Sequence, residues 1–96
     1  MSLPNANTNA DTLAEIKTRL AVLTPQHVEI IDESALHAGH AGAKSGGGHY
    51  QLTIISPAFS GQNIVARHRA IYQALGDLMS TRVHALSIIA YSPEEL

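Results

Sequence analysis

The sequence predicts an α+β domain in which a helix, two strands, a second helix and a third strand follow one another along 96 residues. Three observations predict it: an apolar stripe at helical spacing, two short segments with strand patterning, and a long amphipathic segment followed by an apolar run. A long helix between two strands implies a right-handed crossover, so the last strand should run parallel to a neighbour. The first two strands are expected to pair antiparallel, which gives a mixed three-stranded sheet with helices packed on one face.

The first helix is predicted over residues 12–23. Its apolar stripe consists of residues spaced three and four apart, namely Leu13, Ile16, Leu20 and Leu23. Thr12 and Glu15 have the spacing of a capping box, and Thr24-Pro25 is expected to end the helix. The preceding residues 1–10 are small and polar, which predicts a disordered tail before a single domain over residues 11–96.

The strands and the second helix follow from local pattern. His27 to Asp32 is short and β-branched, Tyr50 to Ile54 alternates apolar and polar residues, and a loop over 33–48 joins them. A helix is predicted over 62–79, capped by Ser60 or Asn63, with an apolar face made by Ile64, His68, Ile71, Tyr72, Leu75, Leu78 and Met79. The apolar run over 83–91 is typical of an inner strand buried on both faces, and a helical turn is expected to begin at Pro93.

Composition excludes several classes of function. The chain is 45% hydrophobic and 15% charged with a net charge of −2, so no global basic field draws it to nucleic acid or to an anionic membrane. It contains no cysteine, which excludes disulfides, thiolate catalysis and a metal site built from its own thiolates. No signal peptide and no membrane-spanning run is recognisable, so a cytoplasmic location and no membrane partner are expected.

Three of the six histidines lie in the stretch HAGHAGAKSGGGH, residues 37–49, which is otherwise built from Ala, Gly, Lys and Ser. A loop that only connects two strands needs no histidine, and loops of this length are often functional. From the residues alone, His37 and His40 are as well explained as solvated loop side chains as by a metal site. His49 opens a strand and is expected to pack or to form a hydrogen bond there.

Several separated motifs together resemble the BolA family, in the form that carries histidine in this loop. They are DES at 32–34, H-x-G-H at 37–40, His49-Tyr50, F-x-G at 59–61, R-H-R at 67–69 with Tyr72, V-H-A-L-S-I at 83–88 and Y-S-P-E-E at 91–95. The resemblance covers residues 12–95 and implies a core like that of the type II KH domain. The chain departs from the family at Gly46-Gly47-Gly48, where relatives often carry an acidic or hydroxyl residue.

The resemblance implies a non-enzymatic partner of monothiol glutaredoxins, with a [2Fe–2S] cluster shared between the two proteins and none held by the isolated chain. The V-H-A histidine, His84, and a loop histidine would be the ligands, with His40 first and His37 second. Without cysteine the chain could supply only imidazoles, while the partner supplies thiolates. The isolated chain is expected to be a monomer or a weak dimer. Some family members are described as transcriptional regulators of stress response and cell shape.

Other interpretations stay open. His68 is expected to be structural, with a hydrogen bond to the segment after Pro57. Arg67 and Arg69 are expected to point outwards, where they are either solvated or in contact with an anion or partner, such as glutathione. DNA binding through the helix that carries both arginines is possible, and so is a plain Zn²⁺ or Ni²⁺ site built from His37, His40, His49 or His84. An enzyme is the least favoured class, because no nucleophile–base set and no paired carboxylates can be recognised.

Overall fold

The computed structural model describes residues 9–33 and 48–96, which form helices on one face of a mixed three-stranded sheet. The elements in chain order are α1 (Asn9–Leu20), a 3₁₀ turn (Ala21–Leu23), β1 (His27–Asp32), β2 (Gly48–Ile55), a 3₁₀ turn (Pro57–Phe59), α2 (Ile64–Leu75), α3 (Leu78–Thr81), β3 (Val83–Tyr91) and a final 3₁₀ turn (Pro93–Glu95). The α+β fold class is therefore confirmed. Residues 1–8 lie outside this description, so their predicted disorder stays a prediction, whereas the last two residues of the predicted tail belong to α1.

The sheet has the strand order β1-β2-β3, with β1 antiparallel and β3 parallel to β2. Both pairings agree with the sequence. The prediction that the last strand is the inner one is wrong, because β2 lies in the centre and β3 has β2 as its one neighbour in the described sheet. The apolar run of β3 divides between two faces, since Leu86, Ile88 and Ala90 are partly buried while Ile89 and Tyr91 are exposed.

The core lies between the sheet and the helices. β2 alternates strictly, with Tyr50, Leu52 and Ile54 buried, and registered neighbours on β1 and β3 continue this face. Helices α1 and α2 cover it with aliphatic side chains, and the buried cluster is completed by Ile16, Leu20, Phe59, Ile71, Leu75, Leu78 and Val83. The other sheet face, here called the open face, carries the side chains of His27, Glu29, Ile31, His49, Gln51, Thr53, Ile55, Ala85, Ser87, Ile89 and Tyr91.

The prediction that Thr12 and Glu15 form a capping box at the start of the first helix is wrong. Helix α1 already begins at Asn9, so Thr12 lies within it, where it is buried and accepts a hydrogen bond from Arg82 Nε at 3.3 Å. Glu15 instead pairs with Arg19 Nε at 3.0 Å. Arg19 also donates to the Leu75 carbonyl at 2.8 Å, which fastens α1 to the end of α2.

The second predicted helix is divided in two. Asn63 caps α2 as predicted, since its Oδ1 accepts from the Ala66 N–H at 2.8 Å. Helix α2 ends at Leu75. Gly76 follows with a φ of +56°, which is accessible to glycine at little cost, and the short helix α3 comes next. In the parts of the chain that the structure describes, no helix has the length and apolar character that a bilayer crossing requires.

Candidate functional site

A β-bulge at the start of β3 turns His84 towards the open face. Gly48 is registered with Val83 and His49 with Ala85, so His84 is an extra residue between the two pairs. The exposure of β3 reflects this, because Val83 is buried while His84 and Ala85 are both exposed before regular alternation resumes. Counted back from the core-facing residues Leu86, Ile88 and Ala90, uninterrupted alternation would place His84 on the core side. His84 is therefore a surface residue and not part of the core.

His49 lies beside His84 on the open face. The alternation of β2 turns His49 away from the core because its neighbours Gly48 and Tyr50 are buried. The two imidazole rings have their centroids 5.0 Å apart and are tilted by 40°. His49 is half-buried and His84 is exposed, so the pair is open to solvent at this end of the sheet. Two neighbouring imidazoles can supply two nitrogen donors to one metal ion.

The backbone under this pair is fixed by close packing. A side chain at Gly48 would overlap the ring of Tyr50, so the approach of this ring requires glycine at that position. Tyr50 is itself buried, and its burial raises the pKa of its hydroxyl despite a hydrogen bond with Thr12. Glu33 N–H donates to the His49 carbonyl at 2.8 Å, which extends the β1–β2 ladder past Asp32. The strand that carries His49 is thus held on the core side and along its edge.

The predicted loop ligands, His40 and His37, lie outside the described residues. Within residues 9–33 and 48–96, no group of three or more histidine, aspartate or glutamate side chains is arranged to hold a metal ion. The described part of the site therefore supplies two donors, His49 and His84. A complete coordination sphere would need further ligands from another part of the chain, from solvent or from a partner.

Arg67 is not a surface contact. It is 7% exposed, and its guanidinium donates to the carbonyls of Gln62 at 2.8 Å and Ala90 at 3.0 Å. It also forms a bidentate pair with Glu95, at 2.6 and 3.1 Å. The prediction that Arg67 points outwards is wrong, because the carboxy-terminal turn folds back over α2 and covers this side chain.

His68 and Arg69 line an open cleft on α2, together with Val65, Tyr72 and Gln73, with a volume of 490 Å³. The hydrogen bond predicted between His68 and the segment after Pro57 is not formed among the described residues, and the ring is half-buried. Arg69 is exposed, as the sequence predicted. The structure thus separates Arg67, which holds the fold together, from Arg69, which faces solvent.

Sequence reasoning undervalued His49. The alternation of β2 already placed His49 on the face opposite Tyr50, which is the one signal that could have identified it. The position of His84 on that same face depends on a bulge between β2 and β3, and pairing register cannot be derived from one strand. His49 and His84 are 35 residues apart, and neither segment by itself predicts that their rings meet.

Comparison with known proteins gives consistent matches. The family model described as BolA-like protein matches residues 20–95. The chain is 43% identical over 79 residues to SufE-like protein 1 of Arabidopsis thaliana, with 77% of this chain and 21% of the relative covered. It is 37% identical over 75 residues to the DNA-binding transcriptional regulator BolA of Escherichia coli, with 78% and 69% covered. The chain thus spans about a fifth of the length of the first of these relatives.

A solved structure has a similar fold. The BolA domain of SufE1 from Arabidopsis thaliana superimposes with a TM-score of 0.74 at 38% sequence identity, covering 99% of this chain and 100% of that one. The fold similarity therefore extends over the whole sheet and the helices that cover it.

Proposed function

We propose that this chain, which belongs to the BolA-like protein family, is a non-enzymatic adaptor that binds a monothiol glutaredoxin and shares a [2Fe–2S] cluster with it. The observation that carries the proposal is the exposed imidazole of His84, aimed by the bulge onto the open face of the sheet. A histidine held in this way lies outside the core, and its strand fixes its position. It is therefore suited to present a nitrogen ligand to a partner's cargo.

The donor set of the chain agrees with a shared cluster. With no cysteine, the chain cannot hold a cluster through its own thiolates. Iron in such clusters does accept neutral imidazole, as in Rieske centres, where two histidines bind one of the two irons. In the proposed complex this chain supplies imidazole, and the glutaredoxin with its glutathione supplies thiolate. The cluster is cargo that passes between proteins.

The two ligands have different roles in the proposal. His84 is the fixed ligand because it belongs to β3. A loop histidine, His40 in the first place and His37 in the second, is the other. Arg69, exposed on α2 beside the cleft, is the cation available for a contact with the partner or with glutathione.

Co-expression with a monothiol glutaredoxin tests the proposal. We expect a one-to-one complex whose visible absorption and circular dichroism differ from those of the cluster-bound glutaredoxin homodimer. His84→Ala should remove this new spectrum while leaving the fold intact. His27→Ala is the matched control, because His27 lies on the same face at the opposite end of the sheet. An unchanged glutaredoxin spectrum and oligomeric state with the wild-type chain would refute the proposal.

DNA binding is the second candidate, because the Escherichia coli relative is named as a DNA-binding transcriptional regulator. Of the two helix arginines considered for this role, only Arg69 is exposed, since Arg67 is occupied by Glu95 and two carbonyls. A gel shift in 50 mM and 200 mM salt decides the matter, because phosphate contacts weaken steeply as salt rises. A shift that is lost in Arg69→Ala supports this function, and no shift at low salt removes it.

A further inference from the structure

We infer that His49 and His84 form a two-imidazole site for a first-row divalent transition metal ion such as Zn²⁺, available in the chain without any partner. The inference goes beyond the proposed function, because it requires neither a glutaredoxin nor a cluster. Of the four histidines considered for such a site, it selects the pair His49 and His84, whose rings are in contact. Imidazole is a preferred ligand of Zn²⁺, Ni²⁺ and Cu²⁺.

The separation of the rings fits chelation of one ion. When two imidazoles bind a tetrahedral ion at about 2.0–2.1 Å from nitrogen to metal, their ring centres lie about 5 Å apart. The observed centroid separation of His49 and His84 is 5.0 Å. The rings are tilted by 40°, so they are not stacked face to face. The separation of the ring centres is therefore the one expected for two imidazoles on one ion.

Both donors are fixed on paired strands before any ion arrives. His49 is held by Gly48 and Tyr50 on one side and by the bond from Glu33 N–H to its carbonyl on the other. His84 is placed by the bulge, in an exposed position. Such preorganisation reduces the entropy lost when an ion binds. Two donors also leave coordination positions open, so binding is expected to be weaker than in a closed four-ligand site.

Titration of the full chain with Zn²⁺ at pH 7.5 tests the site, with the histidine rings followed by ¹H–¹⁵N correlation spectra. Metal binding releases the proton of an imidazolium, so a pH above neutrality is used. We expect the ring signals of His49 and His84 to shift together with one binding curve. Loss of a group that only orients a metal ligand already costs about 10–100-fold in metal affinity, so His49→Gln or His84→Gln should weaken Zn²⁺ binding at least about tenfold.

The matched control is His27→Gln. This histidine is on the open face but registered with Ile55, six residues along β2 from His49, or about 20 Å away. Its variant should bind Zn²⁺ as the wild type does. The inference is overturned if the rings of His49 and His84 do not move, or if both glutamine variants bind Zn²⁺ with unchanged affinity. Because the titration contains no glutaredoxin, its failure is distinct from failure of the proposed function.

Discussion

At the scale of single residues, the histidines and arginines of this chain divide by environment. His84 is exposed, His49 is half-buried beside it, and His68 lines a cleft on α2. Arg67 and Arg69 are two positions apart on one helix, but the first is enclosed by hydrogen-bond acceptors and the second faces solvent. A motif such as R-H-R therefore combines a structural residue with surface residues.

The two arginines should respond differently to the same change. Arg67→Met removes the donors to the Gln62 and Ala90 carbonyls and leaves the Glu95 carboxylate without its charged partner. We expect a clear fall in the urea midpoint of unfolding. Arg69→Met should change stability by no more than about 0.5 kcal/mol, as is usual for surface positions. Equal urea midpoints for the two variants would contradict the structural role of Arg67.

A pair of alanine variants shows which of the two loop histidines is the cluster ligand. If His40 is the loop ligand, His40→Ala should remove most of the new visible spectrum of the glutaredoxin complex, while His37→Ala keeps most of it. The physical reason is loss of one of two nitrogen ligands to iron. The measurement is cluster absorbance per glutaredoxin, with native complex mass as a control for association. The reverse order would assign the ligand to His37.

At the scale of elements, the sequence was sufficient where local pattern decides the structure and insufficient where a distant contact decides it. The bounds of β1 and β3 were predicted, and Asn63 was among the predicted caps. The edge position of β3 was not predicted. A continuous apolar run looks the same in the sequence whether one face of the strand or both faces are buried. The burial of Arg67 was missed because its partner Glu95 lies 28 residues further on.

The site also divides into a part set by local pattern and a part set by a distant contact. His84 was predicted as a ligand from a motif within one strand. Its contact with the His49 ring was not predicted, because that contact depends on a bulge in the pairing of two strands. The chain departs from the family pattern at Gly46-Gly47-Gly48, just before His49. The structure gives Gly48 a packing role, because the ring of Tyr50 occupies the space of a side chain there.

Gly48→Ala tests this packing. The new methyl group overlaps the ring of Tyr50, so the strand or the ring must shift, and overpacking of this kind typically costs about 1–3 kcal/mol. Urea unfolding measures the loss, and the histidine ring spectra should show that His49 moves relative to His84. The cost of Gly48→Ala should be smaller when Tyr50 is replaced by Leu, which a double-mutant cycle reports.

Gly61→Ala is the control for this prediction. Gly61 has a φ of +74°, but no neighbouring atom lies within 4 Å of the place that an alanine methyl group would take. The cost of Gly61→Ala is therefore one of backbone conformation, about 1–2 kcal/mol. It should leave the His49 and His84 ring signals unchanged.

The double-mutant cycle can contradict the steric role of Gly48. It does so if the free-energy changes of Gly48→Ala and Tyr50→Leu are additive in the double variant.

At the scale of the whole molecule, Arg67 and Glu95 join the carboxy-terminal turn to the rest of the fold. Arg67 belongs to α2, bonds the Ala90 carbonyl of β3, and pairs with Glu95 in the final turn. Glu95 also accepts from the Ser92 N–H at 2.7 Å, which closes a capping box. A second bond, from Ser60 Oγ to Glu94 at 2.8 Å, ties the same turn to the segment before α2.

This arrangement predicts a specific loss of stability in acid. The Arg67 guanidinium and the Ser92 N–H lower the pKa of Glu95 from 4.5 to about 2. Because the folded-state pKa is depressed, the stabilisation is complete above pH 4.5 and is lost as pH falls from 4.5 towards 2. Urea midpoints of wild type and Glu95→Gln, measured from pH 7 to pH 2.5, should differ most at neutral pH and converge in this window.

The difference between the two curves reports mainly Glu95. The pKa of Asp77 is also lowered, by the hydrogen bond from Arg19, but Asp77 is the same in both proteins and cancels. The pKa of Glu94 is lowered chiefly by backbone bonding and raised by the neighbouring charge of Glu95, so Glu94 adds a smaller part to the difference. The side chain of Glu95 is 43% exposed, so solvent screens its pair with Arg67. High salt should therefore reduce the difference between the two urea midpoints at neutral pH. A constant difference between the urea midpoints across the whole pH range would mean that the carboxylate charge contributes nothing, and that Glu95 acts through shape alone.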